Sequence, residues 1–250
     1  MTTYLKSTIK VNKLGELQPD YPQGVLVLSD SQAVLDECIA NGIPVAGYEH
    51  DDITGLKCEH LLLEVDEVDD EVFENIYRRC AGIPWDIGET ARTYIREFSM
   101  EDLDDLVALY NKPGMTDYME PLFDYEAEKA YEQNYIDYIY KLYGFGMWLI
   151  YDKITNGLIG RAGIEIRETC TEDGQAELGF CIASDRWNQG LAYEVCSKIV
   201  QLAREEYGMK SLIARCDPEN KASRRLLEKL GFSFQYYQED GDCRYFMEIC

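Results

Sequence analysis

Residues 177–208, ELGFCIASDRWNQGLAYEVCSKIVQLAREEYG, read as a strand, a short loop and a helix. The strand ends near Ala183. The loop runs from Ser184 to Gln189. The helix carries Leu191, Val195, Ile199 and Leu202 on one apolar stripe. Its first turn contains Gly190 and Ala192, which lack bulky side chains. The unpaired amides of that turn can therefore approach an anion closely, and the positive end of the helix dipole favours one. Taken alone, a Gly-x-Ala turn also fits an ordinary strand–turn–helix.

A second segment adds to this reading. CDPENKASRRLLEKLGF (216–232) predicts a helix with Asp217 as cap, Pro218 just inside it and Gly231 just past its end. Asn220 and Ser223 lie three residues apart and share a face. Leu226, Leu227 and Leu230 supply the apolar side.

Around these segments the chain divides into two parts. Residues 93–250 open with a strand, TYIREF (93–98), and a helix whose start pairs Ser99 with Asp102 as a capping box. A long Tyr-rich helix is predicted over 124–143, with Tyr131, Tyr135 and Tyr138 on one face. The strands GMWLIYD (146–152), GLIGRAGIEIRE (157–168) and QAELGFCIA (175–183) follow, joined at Asn156-Gly157 and Asp173-Gly174. After the helix with the Leu191–Leu202 stripe come the strand SLIARC (211–216), the second helix and a closing hairpin, 233–249. This is a mixed, mostly antiparallel α+β layer.

Residues 1–90 alternate strands with helices. GVLVLS (24–29), IPVAGY (43–48) and HLLLEV (60–65) are strands. DSQAVLDECIANG (30–42) is a helix capped by Asp30 or Ser31, with Val34, Leu35, Cys38 and Ile39 at helical spacing. VDDEVFENIYRRCAG (68–82) is a second helix with Val72, Ile76 and Cys80 on one stripe. The alternation implies a small Rossmann-like parallel βαβ module of the α/β class. IPWDIGETAR (83–92) reads as the linker, so the expected domains are 1–90 and 91–250.

The chain holds 250 residues, with 47 acidic and 24 basic, for a net charge of −23. Residues 1–90 carry −12 and residues 91–250 carry −11. Such a balance argues against nucleic acid and against an anionic membrane surface as partners. No run of about 18 apolar residues predicts a membrane span. Nine scattered Cys without a CxxC pair fit a reducing compartment, so the expected location is cytoplasmic. The two histidines, His50 and His60, do not complete a metal-binding pattern with Cys58, and no metal is expected.

Residues 93–250 resemble the GNAT superfamily of acetyl-CoA-dependent N-acetyltransferases. The branch they look like holds ribosomal-protein N-terminal alanine acetyltransferases and their small-molecule-modifying relatives. Trp187-x-x-Gly190-x-Ala192 is similar to its pyrophosphate loop. Asn220-x-x-Ser223 followed by Glu228-Lys229-Leu230-Gly231-Phe232 is similar to its second motif. Ala176–Phe180, Gly144–Trp148 and Leu158–Arg161 match its strands in order.

The resemblance implies an acetyl-CoA site. Backbone amides of Trp187, Asn188, Gln189, Gly190, Leu191 and Ala192 would hold the pyrophosphate. Phe180, Cys181, Ile182 and Ala183, on a strand splayed from its neighbour, would pair with the pantetheine arm. An N–H there would also stabilise the developing oxyanion. Asn220 would reach the same arm. The acceptor amine is protonated at neutral pH, with a lysine-like pKa of about 10.4. Glu177 is the candidate base, with Glu165 on the preceding strand as second choice. Leu227 stands where many family members place a tyrosine that protonates the leaving thiolate; Ser223 is the candidate replacement. No histidine lies in the second part to pair with Cys181, which disfavours an acyl-enzyme. Arg186, Arg224 and Arg225 are candidates to offset the cofactor's charge. The expected acceptor is a small-molecule amine or a peptide N-terminus, and a homodimer is possible. The alternative is a non-catalytic acyl-CoA-binding sensor.

VLVLSDSQAVLDECIANGIPVAGY (25–48) also resembles the late βαβ portion of haloacid-dehalogenase-like phosphatases. The early Asp-x-Asp nucleophile motif of that family is missing, and Val34 stands where its late motif has a second Asp. A truncated module without phosphatase activity is expected.

Overall fold

The computed structural model describes residues 3–6, 9–13, 24–50, 52–63, 65 and 68–249. The chain divides into two compact units, Met1–Trp85 and Asp86–Cys250.

The first unit contains β1 (Thr3–Lys6), β2 (Ile9–Lys13), β3 (Val25–Ser29), α1 (Gln32–Ala40), β4 (Val45–Tyr48), β5 (Leu61–Leu62) and α2 (Asp70–Cys80). The strands lie in the order β1-β2-β3-β4-β5. β1 and β2 are antiparallel, and the remaining neighbours are parallel. All five residues of β3 are buried, as expected for a strand covered on both faces. Its side chains alternate. Leu26 and Leu28 pack with Phe73 and Ile76 of α2, whereas Val27 packs with Val34, Leu35 and Cys38 of α1.

Three expectations change here. The buried stripe of α2 is Phe73 and Ile76, while Val72 and Cys80 are exposed. Ile39 of α1 is exposed too. The strand expected at 60–65 reduces to Leu61–Leu62, with Leu63 exposed; Glu64 lies outside the described residues. The early β1–β2 pair carries no signal in the sequence reading.

The second unit contains β6 (Asp86–Glu89), β7 (Thr93–Arg96), a 3-10 turn (Met100–Asp102), α3 (Leu103–Tyr110), α4 (Tyr125–Asn134), a π-helical segment (Tyr135–Tyr140), α5 (Lys141–Tyr143), β8 (Met147–Asp152), β9 (Leu158–Glu165), β10 (Gln175–Ile182), a second 3-10 turn (Ser184–Arg186), α6 (Leu191–Glu205), β11 (Ser211–Cys216), α7 (Lys221–Leu230), β12 (Ser233–Tyr237) and β13 (Cys243–Glu248). Its sheet runs β12-β13-β11-β10-β9-β8-β7-β6. β10–β11 is its parallel pair; the other neighbours are antiparallel. β6 falls inside the stretch read as a linker and pairs with β7 instead.

Side-chain parity divides the helices between two faces. Arg161 and Glu165 of β9 meet Glu132 of α4 and Tyr135. Trp148 of β8, in register with Ala162, stacks on Tyr207 just past α6. Ser99 and Asp102 form the expected capping box before α3. Asp102 also accepts hydrogen bonds from Arg96 and from the Tyr151 hydroxyl at 2.6 Å.

The Tyr-rich helix departs from expectation in its second half. After Asn134 the backbone switches to the wider π repeat, which moves the aligned partner from i+4 to i+5. Tyr135 therefore faces Tyr140, with ring centroids 5.1 Å apart and planes at 86°. Tyr138 turns outward and is 67% exposed. The face expected to hold Tyr131, Tyr135 and Tyr138 together does not form.

Candidate active site

The parallel pairing of β10 with β11 runs through Gln175↔Ser211, Ala176↔Leu212 and Glu177↔Ile213, and ends there. Beyond Glu177, β10 stays paired with β9. β11 meanwhile pairs with β13 as far as Cys216. The two strands thus part and open a wedge.

A cleft of about 590 Å³ occupies this wedge. One wall is Leu178–Ile182 of β10. Another is Arg215 and Cys216 with Asn220, Ser223 and Arg225 from the start of α7. The mouth is formed by Arg186–Tyr193, and Gly114, Met115, Tyr118 and Met119 line it from the loop after α3.

The backbone of β10 decides what the wedge offers. The Ala183 N–H donates to the Ile159 carbonyl at 2.8 Å, toward β9. Backbone groups alternate along a strand, so those of Cys181 point the same way and those of Phe180 and Ile182 point into the wedge. The Ile182 carbonyl already accepts the Trp187 indole N–H at 2.6 Å. Of the four residues expected at the pantetheine arm, Phe180 and Ile182 face the gap. Cys181 lines the cleft by its side chain. Ala183 is not part of the cleft wall, because its amide is committed to β9.

The mouth presents backbone N–H groups. Asn188 and Gly190 adopt left-handed backbone, at φ 59° and 77°. Asparagine tolerates that region and glycine enters it freely. The first bond of the α6 ladder joins Glu194 N–H to the Gly190 carbonyl. The amides of Leu191, Ala192 and Tyr193 precede it and lie outside the helical ladder. Arg92 braces the loop from β7's side, donating to the Gln189 carbonyl at 2.9 Å and pairing with Glu194 at 2.7 Å. Trp187 packs its ring edge against Gly114, where a Cβ would meet Cη2 at 3.2 Å. A Gly190→Val chain is expected to lose about tenfold in coenzyme A affinity, because a β-branched residue strains left-handed backbone by about 1–2 kcal/mol. Calorimetric titration checks this, and undiminished affinity would remove the loop from the site.

Positive charge at the cleft comes from Arg225 and Lys229 of α7, with the Lys229 ammonium also 3.8 Å from the Tyr193 ring centroid. Arg186 lines the cleft but pairs with Asp152, whose carboxyl it holds well below the usual range. Arg224 is a correction. It is not among the lining residues and bonds the Tyr245 hydroxyl and the Pro218 carbonyl instead.

The helix cap is a second correction. Asn220, not Asp217, caps α7, its side-chain oxygen accepting from the Ser223 N–H at 3.0 Å. Asp217 closes the preceding turn through Glu219 N–H. Capping uses only the oxygen of Asn220, and the residue lines the cleft. The Ser223 hydroxyl interacts with the Cys216 thiol. Burial and neighbouring Cys243 push that thiol up to about 11, against the pull of Ser223. Leu227 is fully buried.

The two candidate carboxylates stand in register, Glu177↔Glu165, and therefore on one face of the sheet. Their surroundings differ. Glu165 accepts the Tyr135 hydroxyl at 2.6 Å on one oxygen and Arg167 on the other. Glu177 accepts the Thr169 hydroxyl at 2.6 Å on Oε2. Glu177 sits where the wedge begins rather than in its lining. Among the described residues, no three His, Cys, Asp or Glu side chains are grouped to hold a metal ion.

A wedge between parallel strands, with free amides of a helix N-terminus at its mouth, suits a ligand with an anionic group and an extended arm. Residues 92–233 match the model of the acetyltransferase (GNAT) domain, and the chain belongs to that family. It is 29% identical over 161 residues to the uncharacterized N-acetyltransferase YoaA of Bacillus subtilis (strain 168), covering 64% of this chain and 86% of that one. An uncharacterized N-acetyltransferase of Bacillus licheniformis, p20, is 29% identical over 146 residues, 57% of this chain and 80% of the relative. Among solved structures, a GNAT acetyltransferase from Bacillus anthracis superposes with a TM-score of 0.55 at 19% identity, covering 64% of this chain and 97% of that one. A spermidine N-acetyltransferase from Vibrio cholerae, solved with CoA and spermine, gives 0.53 at 18%, covering 62% and 95%. The fold is the GNAT fold, and the enzyme uses acetyl-CoA.

Proposed function

We propose that this enzyme acetylates a primary amine, on a small molecule or a peptide N-terminus, by direct attack within a ternary complex. Acetyl-CoA supplies the activated acetyl group, and the residues of the chain do the rest. Loop amides 188–192 would hold the pyrophosphate. The free N–H groups of Phe180 and Ile182 and the Asn220 amide would hold the pantetheine arm. Glu177 takes the proton of the incoming ammonium, and Ser223 donates to the leaving thiolate.

The observation that carries this reading is the position of Glu177, at the residue where the two strands part. Its carboxylate shares a face of the sheet with Glu165 and accepts the Thr169 hydroxyl on Oε2. Proteins of similar fold are named for amine acceptors, among them a ribosomal L7/L12 α-N-protein acetyltransferase and the spermidine enzyme. The branch of the family that the motifs resemble includes such N-terminal acetyltransferases, and the loop Trp187–Ala192 supports placing this chain beside them.

The scattered cysteines, without a CxxC pair, favour the cytoplasm. The βαβ order of the first unit supports reading it as a truncated, degenerate haloacid-dehalogenase-like module that serves regulation, acceptor choice or dimer formation. Among the described residues no helix is long and apolar enough to cross a membrane.

Buried Leu227, at the position of the family's tyrosine, favours one competing reading, a non-catalytic acyl-CoA sensor. Thiol release across a panel of amines and peptides separates the two. Turnover with at least one amine is the expected result. Tight acetyl-CoA binding with no acceptor turned over would select the sensor.

A further inference from the structure

The loop between β9 and β10 places one hydroxyl on the candidate base. Thr169 Oγ1 donates to Glu177 Oε2 at 2.6 Å. The same residue is held from the other side, where Arg244 Nη1 donates to the Thr169 carbonyl at 3.0 Å. Cys170 N–H bonds the Arg167 carbonyl at 2.9 Å, which closes the turn that presents Thr169.

Arg244 has a reason to point there. In the β11–β13 ladder it stands directly opposite Arg215. Like charges in that position repel. Arg215 turns to the hairpin-tip carboxylates of Asp240 and Asp242, at 2.5 and 3.1 Å. Arg244 turns to the loop carbonyl and to the Tyr236 ring, 5.9 Å from its centroid.

We propose that Thr169, fixed by Arg244, is a positioning residue for Glu177. This inference rests on the reading of Glu177 as the base. A donated hydroxyl holds the carboxylate in one rotamer. With Oε2 engaged, Oε1 is the oxygen left to receive the amine's proton, directly or through water. The latch thus aims the base.

The test is steady-state kinetics with acetyl-CoA and the best amine. Thr169→Val should lower kcat by at least about tenfold, the worth of one hydrogen bond to a charged group, while the KM for acetyl-CoA stays constant. Thr169→Ser keeps the hydroxyl and should restore kcat. Arg244→Ala should lower kcat to a smaller extent, and adding it to Thr169→Val should change nothing more. Should Thr169→Val fail to fold, Arg244→Ala and Thr169→Ser read the same kcat.

An unchanged kcat in a folded Thr169→Val or Arg244→Ala enzyme would overturn the latch while leaving the base reading intact. Wild-type turnover in Glu177→Gln would instead overturn the base reading and the latch with it.

Discussion

Replacing Glu177 with Gln is expected to slow acetyl transfer by about 10²- to 10³-fold, the range a positioned general base supplies. Coenzyme A affinity should hold, because neither the amides at the mouth nor the wedge-facing groups of Phe180 and Ile182 involve this side chain. The amide keeps the shape of the carboxylate and can still accept from Thr169, so the loss reports proton transfer rather than packing. The pH dependence sharpens the prediction. Without a base, only the neutral amine reacts, and its fraction rises about tenfold per pH unit below its pKa of about 10.4. The rate of the variant should therefore climb steadily between pH 7 and 9, more steeply than that of the parent enzyme. Glu165→Gln provides the contrast. Both Glu165 oxygens are engaged, by Tyr135 and Arg167, so its replacement should act on stability more than on the pH profile. A Glu177→Gln enzyme with the parent's profile would end the assignment.

Much of this site is legible in the sequence because local rules build it. Gly190 and Ala192 at a helix start, a stripe at Leu191, Val195, Ile199 and Leu202, and the Asn220–Ser223 spacing each follow from short-range geometry. All four stripe residues are buried. Where local rules compete, the reading slips. Asp217 and Asn220 are both good caps. Pro218 lies in the turn before the helix rather than in its first turn, so Asn220 takes the cap. The π segment has no compositional mark. A one-residue shift in hydrogen bonding at Tyr135 is enough to pair it with Tyr140 and expel Tyr138. Long-range partners are the least legible. Arg92 meets Gln189 and Glu194 about a hundred positions away, and Arg244 reaches Thr169 across the sheet. Neither has a local pattern to betray it. The same holds for the sheet order, since β13 inserts between β11 and β12, and a hairpin sequence does not say which of its strands will face inward.

The largest effect on stability is expected at Arg161. Its side chain is buried on β9 opposite Cys181 and pairs with Glu132, which is fully buried, at 2.5 and 3.2 Å. Glu128, also buried, lies alongside and accepts the Phe123 N–H at 2.9 Å. Burial pushes the Glu132 carboxyl up, and Glu128 adds to the push, against the pull of Arg161. The Glu132 carboxyl thus depends on one guanidinium. Arg161→Met keeps the aliphatic bulk and removes the charge. Breaking a buried pair in this way costs about 3–5 kcal/mol. In a domain of this size that lowers the melting temperature by roughly 2–4 °C per kcal/mol.

The pH dependence has a definite sign. A carboxyl whose folded pKa lies above its unfolded value binds more protons in the native state, so its contribution to stability is present below the unfolded pKa and is lost as pH rises. Removing Arg161 raises the Glu132 carboxyl further. The deficit of Arg161→Met relative to the parent should therefore be small below about pH 4, near the unfolded glutamate value, and grow toward neutrality. Adding Glu132→Leu should recover most of the loss, since an apolar replacement of both partners is often neutral or better. Denaturant unfolding of the parent, single and double variants at acid and neutral pH measures each quantity. A loss under about 1 kcal/mol at neutral pH, or one that does not change with pH, would mean that water reaches this cluster and that the pair does not hold α4 to the sheet.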